Sequence, residues 1–275
     1  MSEKRSVIMT IAGSDSGGGA GIQADIKTMT VLGSFGISAI AALTAQNGAE
    51  VRGIFPADPT FMRVQLQALL DGFPVAAAKT GMLFSVPLIE TIADCLEGKT
   101  FPLVVDPVAV SQSGHKLLQE EAVSALIQRI VPLADLLTPN APEAEALTGL
   151  PLRSTSDIVA VSDALMQLGA KAVLLKGGHF SPEDMPEDDS MTDWLCLSGK
   201  PPKALRHEKI QTSNNHGTGC TLSAAIATFL GQGNPLEASV VLAQKYLTAA
   251  LANSFTPGIG CGPPNFVAGA RALDR

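Results

Sequence analysis

One short segment combines a cysteine, glycines and hydroxylated residues directly ahead of an apolar run. It reads Asn215-His216-Gly217-Thr218-Gly219-Cys220-Thr221-Leu222, and the apolar run continues to Leu230. This order is typical of a loop that leads into a helix, whose unpaired N–H groups and positive dipole end attract anions. The same field lowers the pKa of a thiol in the first turn. We therefore expect phosphate chemistry beside a reactive Cys220, with His216 ordering the loop.

A second segment, residues 13–21, contains five glycines between a predicted strand and a predicted helix. Its backbone amides favour ligand contact over a plain turn. Residues 19–24 match the pattern G-x-G-x-x-A, but Gln46 stands where a dinucleotide site wants an acidic residue. Asp15 replaces the serine of a nucleophile elbow, and residues 98–100 lack the first glycine of a Walker A motif. Dinucleotide binding, serine hydrolysis and P-loop chemistry are therefore disfavoured.

Several polar side chains allow both a structural and a functional interpretation. Asp25, in the first turns of a helix, suits the helix dipole, while Gln46 suits either a turn cap or the edge of a heterocycle. Lys176 ends an apolar strand, where phosphate contact is favoured over a structural lysine. Asn140 and Glu143 have the spacing of a capping box, and the residues alone favour capping.

Bulk composition limits the classes of partner. The 275-residue chain has a net charge of −7, a pI near 5.1 and 46% hydrophobic residues. Its basic residues are scattered, which argues against nucleic acid and acidic membrane surfaces and favours a small-molecule substrate. Residues 31–49 and 210–236 are two long uncharged stretches, but both are interrupted by polar side chains. No transmembrane anchor is therefore predicted. Four widely spaced cysteines without a visible secretory signal indicate a reducing cytoplasm.

Short apolar runs alternate with longer helical patterns along the chain, which is typical of an α/β fold with a parallel sheet covered by helices on both faces. We expect a single domain over residues 1–275. An acidic surface loop, residues 181–193, precedes an edge hairpin of residues 193–197 and 204–209. The predicted strands are residues 7–12, 37–43, 76–80, 103–106, 136–138 and 172–176. The predicted helices are residues 22–32, 59–70, 86–95, 120–131, 143–147, 157–168, 219–230 and 236–253.

The polar segments follow the carboxyl ends of these strands. The glycine-rich residues 13–21 follow the first predicted strand, and Gln46 follows the second. Asp106 ends the fourth strand, Asn140 follows the fifth, and Lys176 ends the sixth. Because ligands of open α/β sheets bind at this edge, we expect these segments to form one site.

Several motifs, in a fixed order, carry a family resemblance. They are Ala12-Gly13-Ser14-Asp15 to Asp25, Ala42-Leu43-Thr44-Ala45-Gln46-Asn47, Lys79-Thr80-Gly81-Met82, Val105-Asp106-Pro107-Val108, Thr138-Pro139-Asn140 to Glu143-Ala144-Glu145, Leu175-Lys176-Gly177-Gly178-His179 and His216-Gly217-Thr218-Gly219-Cys220-Thr221. With these motifs the chain resembles, over essentially its whole length, the hydroxymethylpyrimidine and phosphomethylpyrimidine kinases of thiamine biosynthesis. That family lies within the ribokinase-like superfamily.

The resemblance implies a three-layer α/β/α enzyme, usually a homodimer, that transfers the γ-phosphoryl group of ATP to a primary hydroxyl with Mg²⁺. The implied substrates are 4-amino-5-hydroxymethyl-2-methylpyrimidine and then its monophosphate. Gln46 and Asp25 would hold the pyrimidine, with Gly13 and Met82 completing its pocket. Cys220 stands where many relatives carry an aspartate base, so it would accept the hydroxyl proton. The resemblance further implies that Gly217, Thr218 and Gly219 form an anion hole and that Lys176 contacts the nucleotide phosphates. It also implies that Asn140 and Glu143 bind Mg²⁺ through water, rather than serving only as a capping box.

Two departures and two rival functions accompany the resemblance. Asn215 stands where threonine is more usual, and the acidic residues 181–193 are longer or more charged than expected. Pyridoxal kinase shares the scaffold, although the neighbourhood of Gln46 favours the pyrimidine enzyme. The other rival is a catalytically silent sensor of pyrimidine or nucleotide, against which Lys176, Glu143 and Cys220 argue.

Overall fold

The computed structural model describes residues 5–108, 120–177 and 190–273. The strands in these ranges form one sheet. They are β1 Val7–Asp15, β2 Phe35–Gln46, β3 Val51–Pro56, β4 Val75–Thr80, β5 Leu103–Val105, β6 Leu136–Leu137, β7 Ala172–Leu175, β8 Ser190–Leu197 and β9 Lys203–Glu208. Their order across the sheet is β3-β2-β1-β4-β5-β6-β7-β8-β9.

The centre of the sheet is parallel and its margins are antiparallel. Strands β2, β1, β4, β5, β6 and β7 pair in parallel, whereas β3 pairs antiparallel with β2, and β8 and β9 close the opposite margin in antiparallel pairs. The chain leaves β1 to form β2 on one side and returns to form β4 on the other. This reversal opens a crevice at the carboxyl ends of β1 and β4, where ligands of such folds bind.

The described helices cover the sheet. They are α1 Gly21–Val31, α2 Pro59–Gly72, α3 Val86–Leu96, α4 Glu120–Ala125, α5 Ala141–Thr148, α6 Ile158–Gln167, α7 Thr218–Gly231, α8 Leu236–Ala252 and α9 Phe266–Leu273. Helix α4 continues through a wider turn, Leu126–Ile130, into the 3₁₀ turn Val131–Leu133. No helix within the described ranges is long and apolar enough to cross a bilayer.

Two apolar cores lie on opposite faces of the sheet. Met9 and Ile11 of β1 belong to one core, with side chains from α2, α3, α5 and α6. Ile8 belongs to the other, with side chains from α1, α7 and α8. Successive strand residues therefore bury opposite faces, which explains why the predicted strands lack polar alternation. The structure confirms the expected α/β/α layers.

The structure also corrects the sequence interpretation at three places. Strand β3 and helix α9 were not predicted, and β8 begins at Ser190, inside the segment interpreted as a surface loop. Asp193 lies on β8 and is only 4% exposed, so its expected role as a solvated acidic residue is wrong. The rest of that loop, residues 181–189, lies outside the described residues.

Candidate active site

The crevice beside β1 and β4 is narrow because glycine lets two segments approach. A Cβ atom on Gly13 would lie 2.5 Å from the Met82 Cε atom. Gly21 has a φ angle of +55°, and a Cβ atom there would lie 2.4 Å from the Gly13 carbonyl oxygen. Only glycine meets both conditions without strain. The structure thus brings Gly13 and Met82 together, as the predicted pocket requires.

Asp15 holds the glycine-rich loop in shape. Its Oδ1 atom accepts a hydrogen bond from the Gly17 N–H at 2.8 Å, and Oδ2 accepts from the N–H groups of Gly19 at 3.0 Å and Ala20 at 2.8 Å. The His216 Nε2 atom lies 2.8 Å from the same Oδ2. Burial raises the pKa of Asp15, but His216 and the backbone N–H groups outweigh burial and lower it. His216 therefore orders the loops as expected, with a partner that the sequence did not reveal.

Gln46 lies half-buried at the end of β2, beside the same loop. The Ser16 hydroxyl donates to the Gln46 carbonyl oxygen and accepts from the Gln46 N–H, both at 2.8 Å. The Thr44 hydroxyl donates to the side-chain Oε1 at 3.1 Å. These contacts fix the position of the amide while leaving the residue partly accessible, so it can meet the edge of a heterocycle.

The beginning of α7 lies directly against the glycine-rich loop. Gly217 caps the helix with a φ angle of +78°, and a Cβ atom there would lie 1.9 Å from the Gly19 carbonyl oxygen. A Cβ atom on Gly219 would lie 3.5 Å from Asp106 Oδ2 and 3.8 Å from Lys176 Nζ. The first turn of α7 therefore faces the loop after β1, the Asp106 carboxylate and the half-buried ammonium of Lys176. A helix start beside a cation can attract an anion.

Lys176 shares its charge between two carboxylates. Its Nζ atom lies 3.5 Å from Asp106 Oδ1 and 3.7 Å from Glu143 Oε2. Burial lowers the pKa of Lys176, but these two carboxylates outweigh burial and raise it. The Ser223 hydroxyl of α7 donates to Asp106 Oδ2 at 3.3 Å, which connects the cluster to α7. Neither Asp106 nor Ser223 was assigned a role from the sequence.

Asn140 and Glu143 form the capping box that the residues alone favoured. The Glu143 N–H donates to Asn140 Oδ1, and the Asn140 N–H donates to Glu143 Oε2, both at 2.9 Å. These bonds satisfy N–H groups at the start of α5. The capping interpretation is confirmed, and metal binding by the same pair stays a prediction.

The backbone after Lys176 is fixed by Asp193. The Gly177 N–H donates to Asp193 Oδ1 at 2.8 Å, and the Gln244 amide donates to Oδ2 at 2.7 Å. His207 Nε2 lies 3.3 Å from Oδ2 as an ion-pair contact. Asp193 therefore anchors the end of β7. The sequence did not predict this role, because Asp193 belongs to an acidic run that is typical of a surface loop.

Cys220 lies in the first turn of α7, as predicted, and is half-buried. The expectation of a lowered thiol pKa is wrong. Burial raises the pKa of Cys220 to about 11, and the carboxylates of Asp25 and Asp106 add to the rise, against the opposing charge of Lys79. The helix end favours the thiolate, but the loss of solvent around the thiol disfavours it more strongly.

Asp25 and Lys79 form an ion pair with no exposed side-chain surface. The Lys79 ammonium donates to Asp25 Oδ1 at 3.1 Å and Oδ2 at 3.0 Å, and the Thr10 hydroxyl donates to Oδ2 at 2.6 Å. Burial raises the pKa of Asp25, with Lys79 opposing, and Asp25 in turn raises the pKa of Lys79 against burial. Because the ammonium contacts both oxygens, we assign the pair as ionised. Pyrimidine contact by Asp25 stays a prediction.

Comparison with known proteins identifies the family. The sequence profile of phosphomethylpyrimidine kinase matches residues 15–265. A hydroxymethylpyrimidine/phosphomethylpyrimidine kinase of Haemophilus influenzae is 44% identical over 265 residues, which cover 96% of this chain and 97% of that protein.

Solved structures of related vitamin kinases have the same fold as this chain. A phosphomethylpyrimidine kinase of Clostridium difficile has a TM-score of 0.79 at 38% identity, covering 90% of this chain and 100% of its own. An ADP complex of Bacillus subtilis pyridoxal kinase has a TM-score of 0.87 at 34% identity, covering 96% of this chain and 98% of its own. This chain belongs to the phosphomethylpyrimidine kinase family and is a phosphotransferase with the ribokinase-like fold.

Proposed function

We propose that this enzyme transfers the γ-phosphoryl group of ATP to 4-amino-5-hydroxymethyl-2-methylpyrimidine and then to the resulting monophosphate, giving the diphosphate used for thiamine diphosphate. The observation that carries the proposal is the contact between Gly217 and Gly19. It brings the start of α7, with Cys220 in its first turn, beside the glycine-rich loop, and Ser16 of that loop bonds the backbone of Gln46. The names of the relatives support the choice of substrate.

The acceptor side of the site is the crevice between β1 and β4. Gln46 would hydrogen-bond the ring nitrogen and exocyclic amine of the pyrimidine, because an amide offers both donor and acceptor. Gly13 and Met82 would form the wall against the ring. Asp25 is the further predicted pyrimidine contact, although its side chain has no exposed surface and is bonded to Lys79 and Thr10.

The donor side is the end of α7 with Lys176. Gly217 and Gly219 carry no side chain that would keep the γ-phosphoryl oxygens from the backbone of this turn, and Thr218 lies between them at the first helical position, its N–H donating to the Asn215 carbonyl oxygen at 3.3 Å. Lys176 would contact the nucleotide phosphates as the cation beside this turn, 3.8 Å from a Cβ atom placed on Gly219. Phosphoryl transfer depends mainly on positioning and charge stabilisation, which these groups supply.

The residues near Lys176 fit a magnesium ion carried with the nucleotide. Mg²⁺ usually takes one or two carboxylates from the protein and keeps waters and substrate phosphates as its other ligands. In the described ranges no three His, Cys, Asp or Glu side chains are grouped to hold a metal alone. Glu143 and, through water, Asn140 would hold the ion, and the ion would neutralise charge on the phosphates.

Cys220 would act as the general base. As a thiolate it takes the proton of the hydroxymethyl oxygen while that oxygen attacks the γ-phosphorus, and ADP leaves. Its place in the first turn of α7, which lies against the glycine-rich loop, suits this role. The raised thiol pKa means that the thiolate needs nearby positive charge, since the thiol form cannot accept a proton from the alcohol.

A second candidate function is pyridoxal phosphorylation. The pyridoxal kinase of Bacillus subtilis superimposes with a TM-score of 0.87, against 0.79 for the phosphomethylpyrimidine kinase, so backbone similarity alone does not separate the two substrates. The higher sequence identity of the pyrimidine kinases favours the first function.

Mass analysis after incubation with ATP and Mg²⁺ tests the function. We expect hydroxymethylpyrimidine to give first the monophosphate and then the diphosphate, with a kcat/KM above that for pyridoxal. Rapid conversion of pyridoxal with no pyrimidine product would assign the enzyme to the second function. No consumption of ATP with either acceptor would favour a silent sensor.

We further propose that the chain acts as one kinase domain in a cytoplasmic homodimer that pairs through β3. Every residue of this edge strand is exposed, including Val51, Ile54 and the 72% exposed Phe55, and exposed Phe61 of α2 extends the apolar surface. The opposite edge, β9, carries Lys203, Arg206 and Glu208 instead. Exposed apolar edges are normally covered, and a second copy can cover this one by symmetric antiparallel pairing.

Phe55→Glu is expected to convert the dimer to monomer, because it places a charge on the most exposed apolar side chain of the paired edges. Light scattering after gel filtration measures the mass. Val159→Glu is the matched control, since Val159 is 53% exposed on α6, away from β3, and its replacement should leave the dimer intact. A wild-type protein that stays monomeric, or a Phe55→Glu variant that stays dimeric, would refute this interface.

A further inference from the structure

Asp193 lies against the residue that follows Lys176. It belongs to β8, which pairs antiparallel with β7 as far as Leu175 opposite Trp194. The strand pairing ends there, and the Gly177 N–H donates instead to the side chain of Asp193, 2.8 Å from Oδ1. A side-chain carboxylate therefore continues the contact between the two strands past the position of the lysine.

The backbone of Lys176 is held from both neighbouring strands. Its N–H donates to the Pro139 carbonyl oxygen at 3.0 Å, and Lys176 forms a parallel bridge with Asn140, beyond the end of β6. On the side of β8, a Cβ atom on Gly177 would lie 1.7 Å from the Thr192 carbonyl oxygen. Only glycine allows this approach, which brings the Gly177 N–H within reach of the carboxylate.

Three elements hold the Asp193 carboxylate itself. Besides Gly177 at the end of β7, the Gln244 amide of α8 donates to Oδ2 at 2.7 Å, and His207 Nε2 of β9 lies 3.3 Å from the same oxygen. Burying a carboxylate is costly, and Leu195, two residues along the strand, is buried in an apolar core. An apolar side chain would therefore suit position 193, and burial alone does not explain the carboxylate.

The ammonium of Lys176 depends on its backbone for its position. Its contacts with Asp106 Oδ1 and Glu143 Oε2 measure 3.5 and 3.7 Å, whereas a strong hydrogen bond between an ammonium and a carboxylate measures about 2.7 to 2.9 Å. These long contacts leave the ammonium able to bind a further anion, but they do not fix it in place. The strand end that Asp193 anchors must therefore set where the ammonium lies.

We propose that Asp193 is a positioning residue for nucleotide binding, which acts through the Gly177 N–H to fix the backbone of Lys176 and so to place its ammonium at the nucleotide phosphates. The effect rests on the proposed function, in which Lys176 contacts those phosphates. Asp193 itself makes no contact with the nucleotide. Its influence on nucleotide affinity must therefore pass through Lys176.

Calorimetric titration of the full chain with a nonhydrolysable ATP analogue and Mg²⁺ tests this dependence. We expect Lys176→Met to weaken binding about thirtyfold and Asp193→Ala about tenfold, as for loss of a hydrogen bond to a charged group. The double variant should bind as Lys176→Met does, because residues that act through one contact do not have additive effects. Asp193→Asn keeps an oxygen for the Gly177 N–H and should bind within about threefold of wild type.

Asp135→Ala is the matched control. Asp135 Oδ2 likewise accepts a strand-end N–H, that of Leu103 at 2.8 Å, but at the amino end of β5, on the sheet edge opposite the site. Its loss should lower the urea concentration at the midpoint of unfolding, as the loss of Asp193 does, and leave nucleotide affinity at the wild-type value. A carboxylate with only a structural role would behave in the same way at position 193.

Wild-type affinity in Lys176→Met or in a folded Asp193→Ala variant would overturn the proposal. So would a double variant that binds about tenfold more weakly than Lys176→Met. If Asp193→Ala does not fold, Gln244→Ala replaces it, because this change removes one bond to the carboxylate. It should weaken binding about threefold when Lys176 is present and not at all in the Lys176→Met background. Failure of the pyrimidine assay would refute the proposed function and leave these affinities unchanged.

Discussion

Replacing Cys220 with alanine is expected to lower kcat for pyrimidine phosphorylation by about 10²- to 10⁴-fold, the usual cost of losing a general base. Nucleotide affinity should stay near the wild-type value, because Lys176 and the N–H groups of α7 remain in place. Steady-state kinetics measure the first quantity, and calorimetric titration with a nonhydrolysable ATP analogue measures the second.

Cys261→Ala is the matched control, since Cys261 is an exposed free cysteine and its loss should leave kcat unchanged. Cys220→Ser should fall near the alanine variant, because a hydroxyl forms its anion far less readily than a thiol. Full turnover in Cys220→Ala would show that the thiol is not the base. A large loss of nucleotide affinity would show instead that the substitution distorts α7.

Gly217→Ala is expected to lower both stability and activity. The φ angle of +78° is strained for alanine, and the new Cβ atom would lie 1.9 Å from the Gly19 carbonyl oxygen. The loop and the helix end must therefore separate, and we expect the free energy of unfolding to fall by about 2 to 4 kcal/mol. Turnover should fall at least tenfold, because the anion hole moves away from the acceptor crevice. Urea unfolding and steady-state kinetics measure the two effects.

Gly219→Ala separates strain from ligand contact. Its Cβ atom would meet Asp106 and Lys176 only at ordinary contact distances of 3.5 and 3.8 Å, so the unfolding free energy should stay within about 1 kcal/mol of wild type. Turnover should still fall, since the methyl group would stand in the space proposed for phosphate. Equal stability of Gly217→Ala and wild type would mean that the two loops are not held as closely as described.

The layers and the central strands could be predicted because burial on both faces leaves a plain signal in the sequence. Residues 7–12 are apolar except for Thr10, and residues 172–176 are apolar except for the last, Lys176. The structure places both runs in the parallel part of the sheet. The convergence of the loop after β1, Gln46 and Lys176 on one edge follows from the same rule, since all parallel strands end there. The start of α7 was predicted within one residue.

Strand β3 and helix α9 were missed for physical reasons. Strand β3 is exposed along its whole length and contains Gly53 and Pro56, so it shows neither apolar alternation nor an uninterrupted run. Helix α9 has only eight residues and follows a stretch rich in glycine and proline. It is stabilised by packing against α8 rather than by its own propensity, as is usual for short helices.

The electrostatics of the site depend on contacts that no local pattern contains. Lys79 and Asp25 are 54 positions apart, and His216 and Asp15 are 201 positions apart. Lys79, like Lys176, is a lysine in an apolar strand, so the same sequence pattern could have identified it. The direction of the Cys220 pKa could not be inferred, because it depends on how much solvent the folded chain removes.

Four donors converge on the carboxylate of Asp15, three from its own loop and one from His216. The loop is therefore folded before either substrate arrives. Fixing one backbone residue costs about 1 to 2 kcal/mol in conformational entropy, and residues 17–20 lose that freedom when the protein folds. Binding the pyrimidine therefore does not have to order this loop, and less of the free energy of the contacts is lost to conformational entropy. The loop can bind its ligand as a preorganised surface.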